Sequence, residues 1–213
     1  MTVSRWIVTI QKWLALIIGL QILLWVLGGL VMSVLPDARL RAADTIAPAP
    51  GFSLPLEQVL PADEAAAIAG LAAVETATLT RWHDGPVWRF EGGGRVVTVD
   101  ALSGLRRSPL DAGAARAVAE AGYAGAAAVA NVEYFAAPPP ELRSGGATWR
   151  VSFADADGTR VYVDAASGEI TARRTGLSRV YDVFWRLHVM DYRGRADAGH
   201  PLLIASAGLA LVT

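Results

Sequence analysis

The chain of 213 residues contains no cysteine, which excludes disulfides and thiolate metal sites and leaves the compartment open. Lysine is nearly absent too: Lys12 stands alone against eighteen arginines. With alanine and glycine abundant, that bias reflects a GC-rich coding style, so arginine as such carries no functional message. Missing as well are G-x-S-x-G, H-E-x-x-H, a Gly-rich phosphate loop, and any nucleophile with a matched base, so the case for a hydrolase is poor. A net charge of −1 gives no reason to expect nucleic acid. The most informative absence is local: from Trp13 to Leu35 there is no charged residue.

That run, WLALIIGLQILLWVLGGLVMSVL, would be about 34 Å long as a helix, enough to cross a hydrocarbon core of roughly 30 Å. In lipid its amides must bond internally, so a helix is required. The competing reading, a cleavable signal peptide, has an apolar core of only about 7–15 residues. A retained transmembrane helix over 13–35 is therefore expected, behind a cytoplasmic tail at 1–12. Arg5 and Lys12 without an acid favour an inside N-terminus, and Asp37, Arg39, Arg41 and Asp44 mix on the other side. Arg173, Arg174, Arg179, Arg186, Arg193 and Arg195 pull the other way, but long loops translocate largely regardless of charge. The soluble part is thus expected on the outer side of the membrane.

Residues 36–55, rich in proline and alanine and without periodicity, read as a linker. Two stretches of one plan follow, at 56–109 and 110–175. Each has a short helix (Leu60–Val74; Leu110–Gly122), strand-like segments (ATLTRWH, VWRFE, RVVTVD; VANVEYF, TWRVSF, RVYVD), and a turn, LSG or ASG. Trp88 matches Trp149, Asp100 matches Asp164, and Gly104 matches Gly168, with the insertion Pro138–Gly146 absorbing the change of offset. Pro61 and Asp111 suit helix starts and Gly122 a helix stop. Trp149, Val151 and Phe153 alternate with polar neighbours, as do Val161 and Val163, giving strands with one buried face. The expected fold class is α+β: one helix over an antiparallel meander, in tandem.

The pattern W-R-V-x-F…G-x-x-V-Y-V-D-x-x-S-G-E-I, Trp149 to Ile170, resembles the PepSY domain. The opening I-Q-K-W-L-A-L-I-I-G-L (Ile10–Leu20) and F-W-R-L-H (Phe184–His188) resemble PepSY-associated transmembrane proteins. The resemblance implies two PepSY-like units between membrane helices, with a role in iron uptake or transmembrane electron transfer. Some relatives are inner-membrane haem proteins that reduce ferric siderophores, which points to His188 and His200 as haem ligands. Relatives often place a histidine before the first helix; here Gln11 stands there and cannot serve as a normal haem ligand. PepSY domains also resemble segments associated with peptidase propeptides, which implies an inhibitor-like module as an alternative.

Among the three histidines, His83 in RWHDGP reads as a solvated turn residue. His188 shares a helical face with Val180, Tyr181, Phe184 and Trp185, in an amphipathic helix at 177–192 expected to lie in the headgroup zone. Asp155-Ala-Asp157-Gly158 has glycine too early for a calcium loop and reads as a hairpin turn, while Asp100 and Asp164 belong to their own turns. No catalytic residue and no metal site is assigned. In the first helix Gln21, Trp25, Gly28 and Met32 form one stripe, and Gly29 and Ser33 a small-xxx-small pair. Gln21, Gly28, Gly29 and Ser33 are candidates for packing against another helix, facing a membrane partner or a second copy. Ala205 to Gly208 offer a similar small surface within 200–213, a partial second transmembrane segment about 20 Å long. Either the sequence is truncated or the segment is half-inserted and needs a partner; ending there would leave carbonyls unsatisfied in lipid, which favours truncation. The functional expectation is a membrane-anchored, non-enzymatic accessory module.

Overall fold

The computed structural model describes residues 3–35, 43–48, 56–82, 84–142 and 144–189. The chain divides into two compact units: Arg41–Gly176, and a second made of Met1–Leu40 with Leu177–Thr213.

In the second of these, α1 runs from Val3 to Val34. It starts ten residues before the uncharged run, so the expected tail at 1–12 is helical from Val3 onward. The reason is local: Trp6, Ile7, Val8 and Ile10 are apolar, nothing breaks the helix, and Arg5 and Lys12 are long enough to reach polar surroundings. One helix among the described residues, Arg5–Val34 with mean hydropathy 2.5, is long and apolar enough to cross a membrane. A later helix, labelled α4 below, spans Gly176–Val189.

Within Arg41–Gly176 the first half holds α2 (Ala62–Ala69) against a meander of β1 (Thr76–Arg81), β2 (Pro86–Gly92) and β3 (Arg95–Asp100). The second holds α3 (Ala112–Gly122) against β4 (Val129–Phe135), β5 (Thr148–Phe153), β6 (Arg160–Asp164) and β7 (Ile170–Arg174). All strand pairs are antiparallel. Asp111 caps α3 by accepting from the Ala114 amide at 2.7 Å. Pro61 is the residue before α2 rather than its first member; its carbonyl takes the first helical bond, from Ala65, at 3.0 Å.

The two halves share their hydrogen bonds. The amides of Leu60 and Leu110 donate to the carbonyls of Ala101 and Ala165, both at 2.8 Å. Asp100 Oδ1 accepts from Leu102 and Ser103, and Asp164 Oδ1 from Ala166 and Ser167, all between 2.7 and 3.0 Å. Gly104 and Gly168 close these turns at φ +73° and +72°, where a glycine costs least.

Inner faces fill two cores. Phe90, Val97 and Val99 pack on Ala65 and Ala69; Val151, Phe153, Val161 and Val163 pack on Ala115, Val118 and Ala119. The expectation of strands with a single buried face is corrected. Val87, on the outer face of the first sheet, joins the second core together with Trp82. Thr98 of that face is fully buried and donates to Ala166 O at 3.4 Å. On the second sheet, Tyr162 points away from α3 yet is also 0% exposed. The insertion after Pro138 folds over it, and Glu141 takes the Tyr162 hydroxyl and pairs with Arg160.

Candidate functional site

The clearest concavity in Arg41–Gly176 lies where the two halves meet. Its wall is Trp82, just past β1, seated on the bare backbone of Gly168; a Cβ at Gly168 would come within 2.2 Å of the indole. Gly122, at the end of α3, lies as tightly under Ile170, with 2.4 Å available to a Cβ. Between these contacts runs a groove of about 580 Å³ whose apolar lining includes Trp82, Val118 and Ile170.

The rim comes from a segment the sequence placed in an unstructured linker. Residues Ala43–Thr45 form a 3-10 turn, and Ile46 pairs antiparallel with Tyr123. Ala47 N–H donates to Gly122 O and Ala124 N–H to Thr45 O, both at 3.0 Å. Composition could not reveal this, because the docking depends on main-chain groups freed by the end of α3. Arg173 adds a bond from its guanidinium to Gly122 O at 3.3 Å, a cation on the negative end of a helix. Burial lowers the Arg173 pKa from its usual value.

Below the rim Tyr123 stacks on Phe153 at 4.0 Å between ring centres and donates its hydroxyl to Asp155 at 2.9 Å. Burial, then the bond to Asp155, pushes the phenol up to about 12. Asp155 also accepts from the Thr159 amide at 2.7 Å, and Gly158 sits at φ +58°, so D-A-D-G is a hairpin turn as expected. Burial alone would raise the Asp100 carboxyl; Arg107 at 2.6 Å and the Ser103 and Leu102 amides outweigh it and hold the pKa at about 2.

Residues 109–174, the half that contains α3, β4–β7 and the D-A-A-S-G-E turn, match the family described as peptidase propeptide and YPEB domain, PepSY. The chain carries a PepSY domain. No curated protein and no solved structure matches the chain. The PepSY match stops short of β1–β3, although those strands share its hydrogen bonds.

None of the residues singled out for chemistry lies in the PepSY domain. His83 and His200 fall outside the described residues, as do the segment 200–213 and the end of the helix expected at 177–192. His188 is in α4, and its ring rests on α1. Its Nδ1 lies 3.1 Å from the Trp25 carbonyl. A carbonyl only accepts, so Nδ1 carries the proton. A Cβ on Gly28 would meet His188 Cβ at 3.4 Å, and one on Gly29 would meet Cε1 at 3.7 Å. Gln21 and Trp25, two turns and one turn before Gly28, have buried Nε2 and Nε1 atoms with no hydrogen-bond partner among the described residues. Ser33 is exposed, its hydroxyl donating to Leu30 O at 2.8 Å within its own helix. Among the described residues no group of three or more His, Asp or Glu side chains is placed to hold a metal.

Proposed function

We propose that the chain is a membrane-anchored accessory module of a bacterial inner-membrane complex. In this reading α1 is a retained anchor with its N-terminus inside. Residues 56–109 form a second PepSY-like unit beside the matched one, and both stand outside the membrane. The module binds rather than catalyses, and serves a complex for iron uptake or transmembrane electron transfer.

The observation that carries this is the surface of α1. Only 6% of its most apolar window is buried, and Trp13, Leu16, Ile17, Leu20 and Leu23 each lie 57–60% exposed. A core helix of a soluble protein would cover such side chains; removing them from water is worth about 1.5–3 kcal/mol apiece, and lipid does this all round. The repeated hydrogen bonds of the two halves support the tandem assignment.

The test is extraction of membranes with alkaline carbonate, followed by mass analysis of the N-terminus. The uncut chain should remain in the pellet, and added protease should trim the module without opening the cytoplasm. Release of the full-length chain, or an N-terminus beginning after residue 35, would overturn the anchor.

A second reading rests on His188. With Nδ1 spent on the Trp25 carbonyl, Nε2 is left as a donor atom for a metal, the usual arrangement for a ligating histidine. A haem bound there would supply one-electron chemistry. The described residues offer one imidazole toward it, and the second ligand of this reading is His200. A reduced-minus-oxidised spectrum that shows a Soret and α band, lost in His188→Ala, supports it; a flat spectrum removes it.

A further inference from the structure

The segment Thr45–Pro48 is seated along the groove by a main-chain ladder, with Thr45 buried at its start. Ile46 and Tyr123 are the non-hydrogen-bonded pair of a minimal antiparallel ladder, flanked by the two 3.0 Å bonds between Ala47 and Gly122 and between Ala124 and Thr45. The side chains beyond Thr45 leave the groove largely unfilled. Ile46 remains 46% exposed, and Ala47 and Pro48 border the groove with too little bulk to fill its roughly 580 Å³. Behind the ladder stand Trp82, Val118 and Ile170, with the bare backbones of Gly122 and Gly168 between them. The charged residues at the border are already engaged: Glu169 pairs with Arg89, and Arg81 has a partner of its own. A backbone ladder beside an apolar recess is how protein surfaces hold extended peptides: main-chain bonds provide the grip and alternate side chains enter the recess.

We propose that this groove binds an extended, uncharged peptide segment of a partner that carries a bulky apolar side chain, and that Thr45–Pro48 is a displaceable strap holding the same rim. The inference rests on the accessory-module reading and names the chemistry of the partner. Partner and strap compete for the Gly122 and Ala124 main-chain groups, so binding releases the strap from the module.

The full chain in detergent micelles is titrated with a fluorescein-labelled peptide copying residues 43–50, ADTIAPAP, and with the same peptide carrying Ala47→Phe at the position that borders the groove, and anisotropy is followed. Two chain variants control the strap. Ala47→Pro removes the N–H given to Gly122. Ile46→Cys with Tyr123→Cys locks the strap by a disulfide, in a chain with no other cysteine. Saturable binding is expected, stronger for the phenylalanine peptide. Binding should be about tenfold tighter in Ala47→Pro, as expected when one competing hydrogen bond is lost. It should vanish in the oxidised pair and return on reduction. No saturable binding to a cooperatively melting Ala47→Pro chain at about 1 mM peptide would overturn the proposal. If that variant does not fold, the cysteine pair decides: equal binding in the locked and reduced states puts the peptide elsewhere and overturns it. A doubling of particle mass that excludes the peptide would give the groove to a second copy, also against the proposal. The anchor test uses neither peptide nor strap, so it stands or falls separately.

Discussion

The indole N–H of Trp149 donates to the carbonyl of Leu110 at 3.0 Å, tying the start of β5 to the residue that precedes the α3 cap. Trp88 does the same for the first half, reaching Leu60 O at 2.9 Å. Each tryptophan thereby closes its unit: one polar atom holds the approach to the helix while the ring fills the space under it. The leading leucine is held from both sides, because its amide is also bonded to the turn after the third or sixth strand.

Replacing Trp149 by Phe should cost about 1–2 kcal/mol, the penalty for leaving the buried Leu110 carbonyl without its donor while most of the ring is kept. Trp88→Phe should cost a similar amount. Urea midpoints of the full chain check both; an unchanged midpoint for Trp149→Phe would mean the indole bond is not used.

The matched glycines should respond unequally. Gly104→Ala meets only the methyl ends of Ile68 and Leu60 at 3.1 and 3.2 Å, so its cost is mainly that of a positive φ, about 1 kcal/mol. Gly168→Ala adds the same backbone cost and drives a methyl to 2.2 Å from the rigid Trp82 ring, which must shift as a whole. A further loss of about 1–3 kcal/mol is expected. Adding Trp82→Leu should recover part of the second loss and none of the first. Equal costs at the two positions would refute the packing of Trp82 on Gly168.

Stability toward acid should depend on Asp100. Its folded pKa of about 2 lies below the unfolded value of 3.8, so its contribution is complete above pH 4 and is lost as the pH falls through 2. The side chain is only 12% exposed, so the difference corresponds to about 2 kcal/mol. Thermal melts between pH 5 and 2 should show this decline, and Asp100→Asn should flatten it. Asp155, lowered in the same direction, leaves a residual slope.

How much of this was legible in the chain follows from which physics each feature uses. The helix of α1, the two helix-and-meander halves and the D-A-x-S-G turns are written in local patterns: an uncharged run, alternation along strands, and aspartate and glycine at fixed offsets. The outer faces of the sheets were not legible. Val87, Thr98 and Tyr162 occupy the positions that alternation assigns to solvent, and they are buried by elements far away in sequence. The strap was equally hidden, since the bonds that pair it with Gly122 and Ala124 use backbone atoms that every residue possesses. The contact of His188 with Gly28 was not legible either, because it depends on the packing of two helices about 160 residues apart. Periodicity alone cannot supply that.

Glu141 offers the sharpest check on the covering of the second sheet. The insertion that carries it has no counterpart in the first half, where the second core covers the outer face instead. In the second half Glu141 accepts from the Tyr162 hydroxyl, pairs with Arg160 and lies 3.8 Å from Arg150, while Arg174 donates to its main-chain carbonyl at 3.3 Å. Glu141→Ala should strand a buried phenol and leave Arg160 without its partner, at a cost of about 2–4 kcal/mol. Glu141→Gln keeps an acceptor for the phenol and should cost less. The double variant Glu141→Ala, Tyr162→Phe should be more stable than Glu141→Ala alone, because it removes the orphaned hydroxyl. If the double variant were the less stable of the two, Tyr162 would be held by ring packing alone, and the insertion would not clamp the sheet through this hydrogen bond.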